Sequence, residues 1–393
     1  MPNSKPKLQL DLQDLAPNEG ALVLLRRALG QLAAGECLEL HGDSAGLSEQ
    51  LAAWCRKEGH RCETIQGLAG TYRIEAGGRV ASVATSRFDV SETADPAWGL
   101  APRGGRLETG GPQFGFTLRQ KRDVWAHELN TIYKQAAAGQ WSATRDIPWE
   151  RLPRLAPEVE GAVAQIMTFL TENEFAALYV PARFIARIHP HYREVVEVLA
   201  MQVVDEARHA EAFTRRAEAG GAGLGTTAVS GQLSLQTLIE EPDFTTAVFL
   251  LCVMGEGTFL TLLKFLGEHA PDPVTSALAL LAHRDEARHV AFGTEHLRYV
   301  FEREPDRRTS LASAVERRSR MLASISGLSP YVNDALVIYA GGGIGIGQVR
   351  EGARLVAGLH GEMDRARRER LQSLGFDSAA ATEMSAYHTK NFM

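Results

Sequence analysis

The strongest constraint on the fold of this 393-residue chain is a five-residue segment, Asp-Glu-Ala-Arg-His, that occurs twice, at 205–209 and 285–289. On an α-helix, residues three apart lie on the same face, so the Glu and the His of each copy can bind one ion together. Apolar residues flank both copies at helical spacing, which indicates that these faces point into a protein core. The two pairs are Glu206 with His209 and Glu286 with His289.

Each pair is preceded by a predicted helix that carries one more glutamate among apolar residues, Glu174 before the first pair and Glu256 before the second. At a rise of ~1.5 Å per residue, the intervals of about 30 residues allow one helix, a turn and a return to the same level. Four glutamates and two histidines from four helices are the ligand set of ferritin-like di-iron or di-manganese carboxylate proteins. A solvated stretch of ion pairs is the alternative, but the verbatim repeat and its apolar flanks favour a metal centre.

Residues 123–393 resemble the ferritin-like oxygenases related to p-aminobenzoate N-oxygenase. The likeness rests on Asn-Glu-Phe-Ala-Ala-Leu at 173–178, Gly-Glu-Gly at 255–257 and Asp-Glu-Ala-Arg-His-Val-Ala-Phe-Gly at 285–293. It implies a mainly α fold, a ferritin-like four-helix core with extra helices, and a centre of two metal ions. The ligands that it implies are Glu174, Glu206, His209, Glu256, Glu286 and His289.

The resemblance also implies a role for each ligand. Glu206 and Glu286 would bridge the two ions, and Glu174 and Glu256 would be terminal. The aspartate before each bridging glutamate would accept a hydrogen bond from a ligand histidine, which fixes the tautomer and basicity of that histidine. Each aspartate can also pair with the arginine one helical turn further on. The four residues around the centre are Asp205, Asp285, Arg208 and Arg288.

Two further residues compete for a place among the ligands. Glu172 lies two residues before Glu174 and also has aromatic neighbours, so it is the alternative for the first ligand. His283 lies three residues before Glu286 on nearly the same helical face and could be a seventh ligand. N-oxygenases of this kind carry an extra histidine four residues before the matching glutamate, where this chain has Ala282. A core histidine is the alternative for His283.

The reaction implied by the resemblance is oxidation of a small organic substrate by dioxygen, the co-substrate. Carboxylate and imidazole ligands suit two iron ions, and manganese or a mixed Fe/Mn pair also fits. N-oxygenation of an amine is the first expectation and C-hydroxylation the second. Oxygenation consumes two electrons per turnover, and no flavin or NAD motif is visible, so a reductase or ferredoxin partner is expected.

The glycine-rich run at 341–347 lacks a βαβ context and predicts a turn or a helix contact.

Several other functions share this ligand pattern. Ribonucleotide reductase small subunits carry a radical-bearing tyrosine four residues after the first ligand histidine, where this chain has Phe213. Iron storage of the ferritin type uses a shorter chain and needs no α/β domain. A di-iron desaturase or peroxidase stays open, as does a metal-stabilised scaffold that binds a partner.

Residues 1–85 predict a small α/β accessory domain. A helix at 21–34, a strand at 37–41, a helix at 47–58 and a hairpin of 71–76 with 80–84 around Gly77-Gly78 follow from periodicity and turn residues. Their order and wording, notably Trp-Cys-Arg-Lys-Glu-Gly-His at 54–60 and Gly-Thr-Tyr-Arg-Ile at 70–74, resemble the TusA/SirA-like sulfur-carrier fold.

The domain lacks the reactive cysteine of that family, because Ala16 occupies its place before Pro17. Thiolate chemistry requires the sulfur, so the domain is expected to be non-catalytic. Cys55 and Cys62 are interpreted as small core or surface residues.

The rest of the chain divides into a linker, 86–122, rich in Gly, Pro, Ser and Thr, and a helical domain, 123–393. Helix breaks are expected at Pro148, Pro190, 220–225 and 271–273.

Composition limits the partners and the compartment. A formal net charge of -6 offers no case for nucleic acid. The four cysteines show no Cys-x-x-Cys spacing, and the start of the chain lacks the apolar core of a signal peptide, so a cytoplasmic protein is expected. The most membrane-like run, 247–266, has Glu256 at its middle, which suits a buried helix rather than a membrane span. We expect a small-molecule substrate, no nucleic acid, no membrane and a homodimer.

Overall fold

The computed structural model describes residues 6–78, 80–83, 86–323 and 329–388. The chain forms two compact units, the first of residues 1–91 and 95–114 and the second of residues 92–94 and 115–393. The first unit takes in part of the predicted linker, and the predicted domain boundaries themselves remain predictions.

The first unit is a small α/β fold, as expected. Its main sheet has the order β1-β2-β4-β3, with β1 parallel to β2 and the other pairs antiparallel. The helices bury Leu25 and Leu51 against Leu38, Leu40 and Ile74 of the sheet in one core. The elements are β1 (Leu8–Asp11), α1 (Ala21–Leu29), β2 (Cys37–His41), α2 (Leu47–Glu58), β3 (Arg61–Thr64), β4 (Thr71–Glu75), β5 (Val80–Ser82) and β6 (Arg106–Glu108).

The hairpin predicted around Gly77-Gly78 is wrong. Strand β4 pairs with β2 and β3, whereas β5 pairs with β6 in a separate two-stranded sheet. Both edges of β4 are therefore occupied by other strands, and the turn residues redirect the chain instead of closing a hairpin. Ala84, the last residue of the predicted second strand, lies outside the described residues.

The second unit is helical, and with it the chain is mainly α. The predicted breaks at Pro148, Pro190 and 220–225 fall between α-helices, and the break at 271–273 ends at Pro273, where the next helix begins. The helices are α3 (Lys121–Val124), α4 (Leu129–Ala138), α5 (Pro157–Ile185), α6 (Arg193–Ala219), α7 (Val229–Ile239), α8 (Phe244–Val248), α9 (Gly257–Glu268), α10 (Pro273–Arg303), α11 (Arg307–Met321), α12 (Pro330–Gly341), α13 (Ile346–Ser373) and α14 (Ser378–Tyr387).

Four helical segments form the core bundle of this unit. Helix α5 packs along α6, α9 packs along α10, and α10 also packs on α6. Helix α12 covers α5, α13 lies against α9, and α4 contacts both α6 and α10. This is a four-helix core with extra helices, as the resemblance to ferritin-like oxygenases implied. The glycine-rich run at 341–347 is the turn between α12 and α13, with Gly342 in the left-handed region at φ 72°.

A π-helical segment, Phe249–Glu256, joins α8 to α9. All eight of its residues are buried, and Glu256 is the last of them. The continuous stretch Phe244–Glu268 is long and apolar enough to cross a membrane, yet most of it is buried inside this unit. Its place in the bundle therefore accounts for its apolar composition.

A buried arginine fixes the start of α10 against α5 and α6. The Arg216 guanidinium of α6 is fully buried and donates to the carboxylates of Glu160 on α5 and Asp272, the residue that caps α10. Its Nε also donates to Thr275 Oγ1 at 2.7 Å. Charge-assisted bonds of this kind are strong and directional, so they set the level of α10 relative to the other two helices.

His296 of α10 is buried in its neutral form. Its Nδ1 donates to the carbonyl oxygen of Trp125 at 2.8 Å, and its Nε2 accepts from the Thr245 hydroxyl at 3.0 Å. Burial lowers the pKa of His296 to about 4, and Arg307 acts in the same direction, while the bond to Trp125 and the charge of Asp243 oppose it.

This buried histidine predicts a loss of stability in acid. An unfolded histidine has a pKa of about 6.5, so between pH 6.5 and pH 4 the unfolded chain takes up a proton that the folded chain refuses. The contribution of His296 to the free energy of unfolding is present in full above pH 6.5. About 3 kcal/mol of it is lost by pH 4. His296→Gln keeps a donor and an acceptor but does not titrate. Denaturant unfolding followed by circular dichroism should show the wild type losing about that much more than the variant between pH 7 and pH 4. Parallel curves for the two proteins would contradict the prediction.

Candidate metal centre

The six predicted ligands meet inside the bundle in two overlapping groups. In each group, one ligand atom from every residue lies within 4.8 Å of the others. Glu206 and Glu286 belong to both groups, which is the arrangement of two carboxylates between two ion positions. The first group is Glu174, Glu206, His209 and Glu286, and the second is Glu206, Glu256, Glu286 and His289.

Both histidines turn the same ring nitrogen toward the carboxylates. His209 Nδ1 lies 3.1 Å from Glu206, 3.4 Å from Glu174 and 3.5 Å from Glu286. His289 Nδ1 lies 3.0 Å from Glu206, 3.4 Å from Glu286 and 4.0 Å from Glu256. Nδ1 is therefore the nitrogen that each histidine can offer to an ion.

Several buried atoms of the cluster make no hydrogen bond of acceptable geometry within the described residues, although His289 Nδ1 and Glu206 Oε1 lie 3.0 Å apart. Leaving a buried polar atom unpaired costs about 1–3 kcal/mol, more when the group is charged. These atoms belong to the residues of the two ligand groups, so they fit ions bound between those side chains. They are Glu174 Oε1, Glu206 Oε1, Glu256 Oε2, Glu286 Oε2 and His289 Nδ1.

The protonation of the cluster supports the same fit. Burial, and next the charge of a bridging glutamate, raise the pKa of Glu174 and of Glu256 well above the usual range. Burial opposes protonation of His209 and His289, but the surrounding carboxylates outweigh it and raise the pKa of both rings. Protons therefore offset the carboxylate charge when no cation does, and metal ions would displace them.

Asp205 and Asp285 each contact the outer ring nitrogen, Nε2, of a ligand histidine, but of the histidine in the other repeat. His209 Nε2 lies 3.0 Å from Asp285, and His289 Nε2 lies 3.3 Å from Asp205. Each aspartate therefore orients the histidine of the other repeat. Burial disfavours the ionised form of both aspartates, yet these bonds outweigh burial and lower the pKa of each. An ionised aspartate keeps a proton on Nε2 and leaves Nδ1 free for an ion.

The two arginines bridge the same aspartates. Arg208 and Arg288 each donate to both Asp205 and Asp285, so the i,i+3 pairs expected from the sequence are present together with pairs between the helices. The four side chains tie α6 to α10 directly outside the cluster, and their formal charges cancel.

Two functional neighbours were missed by sequence reasoning. Gln140 donates to Asp205 at 2.9 Å, and Trp141 donates through its indole nitrogen to Asp285 at 2.7 Å. The Trp141 ring also stacks on His209, with centroids 6.0 Å apart. Both residues follow α4 in a loop, where no periodicity marks them. The only available signal was that a tryptophan usually finds an acceptor for its N–H when it is even partly buried, as Trp141 is.

The π-helical segment ends at Glu256, a member of the second ligand group. Gln202 of α6 donates to Glu256 at 2.8 Å, and the same amide lies 3.8 Å from Cys252 Sγ. Such wide turns are rare and occur mostly at functional sites. Neither the π turn nor the role of Gln202 was expected from the sequence.

Glu172 and His283 are placed outside both groups. The Glu172 carboxylate accepts a hydrogen bond from the Thr227 hydroxyl on the other side of α5, while Glu174 is fully buried in the cluster. His283 lines a cavity next to the bundle, where burial lowers its pKa. Phe213 stands four positions after His209, where ribonucleotide reductase small subunits carry a tyrosine. Its ring centroid lies 6.2 Å from that of His209, and phenylalanine has no phenol that could carry a radical.

No protein-family model matches the sequence, and no curated protein is similar to it. Solved structures that match the chain include R2-like ligand-binding oxidases. One, with an aerobically reconstituted Mn/Fe cofactor, is 17% identical, covers 68% of this chain and 91% of its own, and has a TM-score of 0.39. Another, from Sulfolobus acidocaldarius, is 18% identical, covers 62% and 92%, and has a TM-score of 0.41. At TM-scores below 0.5, these likenesses decide nothing about the cofactor of this chain.

The fold and the site together define a helical-bundle protein with a buried carboxylate–histidine centre suited to two metal ions.

Single substitutions should separate the two ion positions. His209→Ala removes a ligand from the first group only and His289→Ala from the second only, so each variant should bind about one ion instead of about two. Glu286→Ala removes a shared ligand and should lose both. Metal analysis after loading with ferrous iron measures the stoichiometry. The control is Glu172→Gln, which changes a carboxylate of α5 outside both groups and should keep both ions. Full metal content in either histidine variant would remove that residue from the ligand set.

Proposed function

We propose that the second unit binds two iron ions, or a manganese and an iron ion, and uses dioxygen to oxidise a small organic substrate. The observation that carries this proposal is the pair of ligand groups that share Glu206 and Glu286. Glu206 and Glu286 would hold two ions close together, and such a pair would supply electrons to dioxygen.

Charge balance supports two divalent cations. The Asp205, Asp285, Arg208 and Arg288 network is neutral by itself, which leaves the four buried glutamates with four negative charges. Buried carboxylates are costly unless they are paired or bound to metal. Two divalent cations would offset that charge, with neutral histidines as the remaining ligands.

The donor set supports iron or manganese. Carboxylates and imidazoles suit these ions, whereas softer metals prefer thiolates. When bound, such a pair supplies the electron transfer to dioxygen that the protein itself cannot supply. The residues of the chain do the rest: Asp205 and Asp285 hold protons on the outer histidine nitrogens, and the buried Phe213 ring beside His209 helps to keep water out.

A cavity of about 490 Å³, lined by chain neighbours of two ligands, is our candidate for the substrate site. Gly257 on its wall follows Glu256 directly, and His283 precedes Glu286 by one helical turn. Its size suits a small organic molecule. Its wall combines apolar side chains with charged ones, the latter being Lys264, Glu268, Glu362 and Arg370.

Arg370 gives this cavity a polar end. Its Nε donates to the Val253 carbonyl at 2.8 Å, whereas its buried Nη2 has no hydrogen-bond partner among the described residues. Burial lowers the pKa of Arg370 to about 10, which still leaves it cationic at neutral pH. A Cβ at position 257 would lie 2.4 Å from the guanidinium carbon, so Gly257 makes room for it. An unpaired buried cation favours a substrate with an anionic group.

Within this function, we propose N-oxygenation of an amine first and C-hydroxylation second, because the motifs around the ligands resemble those of N-oxygenases. An oxygenation needs two electrons per turnover, so we also propose an electron-donating reductase or ferredoxin as partner. A homodimer, a cytoplasmic location and a non-catalytic first unit complete the proposal.

Dioxygen uptake tests the reaction. Protein loaded with iron, reduced chemically and then mixed with oxygen and an arylamine should consume oxygen and form the hydroxylamine or nitro product. In His209→Ala the rate should fall by roughly 100-fold or more, because even changes around metal ligands cost 10–100-fold. Glu172→Gln should retain wild-type uptake. A ring-hydroxylated product would favour C-hydroxylation. Oxidation without oxygen insertion would favour a desaturase or peroxidase, and bound metal without any uptake would leave only a scaffold.

Arg370 should select for charge on the substrate. Arg370→Met should raise KM for aminobenzoate by about 10-fold or more, because a charge-assisted hydrogen bond contributes ~1.5–3 kcal/mol. KM for uncharged aniline should change little, and metal content should stay at the wild-type value. Equal effects on both amines would show that Arg370 supports the cavity structurally and does not contact an anionic group.

A further inference from the structure

Two of the four cysteines lie side by side in the first unit. Cys55 belongs to the last turn of α2 and is only 1% exposed, while Cys62 is at the centre of β3 and half-buried. Both were interpreted from the sequence as small core or surface residues. Their contact gives them a chemistry that neither residue has alone.

A tight reversal of the chain brings the two thiols together. Helix α2 ends at Gly59, whose φ of 75° is left-handed, and the His60 amide donates to the Cys55 carbonyl at 2.7 Å. The chain then enters β3, the edge strand of the sheet, where Cys62 is the residue that faces inward, opposite Ile74. Cys62 packs against the same apolar core that contains Cys55.

The two thiols meet in one apolar core and are chemically unequal. Interaction with Cys62 and then burial raise the pKa of the Cys55 thiol, which therefore stays protonated. The same interaction lowers the pKa of Cys62 against the opposing effect of burial. A thiolate is the reactive form of cysteine, and Cys62 is also the more accessible of the two.

We propose that Cys55 and Cys62 form a redox-active dithiol that a small-molecule disulfide oxidises to an intramolecular disulfide. The Cys62 thiolate attacks the disulfide, forms a mixed disulfide and releases one small thiolate. Cys55 then loses its proton and attacks Cys62 Sγ, which forms the Cys55–Cys62 bond and releases the second small thiolate; the proton goes to that thiolate or to solvent. The protein loses two electrons, and the small disulfide is reduced to two thiols.

The site is independent of the metal centre. Its residues belong to the first unit, and the reaction needs neither metal nor dioxygen. The remaining cysteines serve as internal controls, because Cys37 and Cys252 are also buried but lie on other elements.

Oxidised glutathione is the probe for this dithiol. The folded full-length protein is incubated with it, free thiols are blocked, and tryptic peptides are analysed by mass spectrometry. Arg56, Lys57 and Arg61 lie between the two cysteines, so trypsin separates them unless a disulfide joins the fragments. The wild type should yield the joined peptides, and reduction should release them.

Variants assign the two roles. Cys55→Ser should stop at a glutathione mixed disulfide on Cys62, and Cys62→Ser should react about tenfold or more slowly, since the buried thiol remains. Cys37→Ser and Cys252→Ser should form the disulfide as the wild type does, and circular dichroism verifies that each variant is folded. A stable mixed disulfide on Cys62 in the wild type, unreacted thiols throughout, or equal reactivity of Cys62→Ser would each overturn the proposal.

Discussion

Four glutamate carboxylates enclosed by four helical segments are the interaction on which the second unit depends. A buried carboxylate loses its hydration and must recover that energy from protons, cations or hydrogen bonds. Around this cluster, Asp205 and Asp285 are already matched by Arg208 and Arg288, so nothing in that network is left to neutralise the glutamates. The interior is therefore suited to added positive charge, which two metal ions bound by the carboxylate oxygens and the Nδ1 atoms would supply.

The crossed aspartate–histidine bonds join that chemistry to the fold. If each aspartate held the histidine of its own repeat, α6 and α10 could carry their ligands independently. Because Asp285 holds His209 and Asp205 holds His289, a shift of either helix would disturb both ion positions at once. The buried Arg216 of α6 holds the same two helices together at a second place, the start of α10. Precise spacing of the ligands thus follows from interactions outside the cluster.

The sequence predicted the parts of this site that depend on a single helix. The Glu-x-x-His spacing is a property of one helical turn, and apolar flanks report which face is inward, so six residues could be proposed as ligands without coordinates. The crossing of Asp205 and Asp285, the bonds of Gln140 and Trp141 and the π turn before Glu256 arise only when segments pack together. The failed hairpin has the same origin, since Gly77-Gly78 marks a reversal but not the strand that receives β5. The contact of Cys55 with Cys62 likewise depends on how α2 meets β3.

The two ligand candidates that lie outside both groups, Glu172 and His283, show how far helical geometry alone can decide. Glu172 lies about 200° around the helix from Glu174, at roughly 100° per residue, so one of them must face away from the cluster. His283 lies on nearly the same face of α10 as Glu286 but one turn earlier in the chain. It lines the cavity that Gly257 and Arg370 also line. The same face of α10 thus passes from ligand to cavity within one turn. That continuity is the physical reason for proposing that the substrate binds next to the second ligand group. Two residues of that group have chain neighbours in the cavity wall: Gly257 follows Glu256, and His283 precedes Glu286 by one turn.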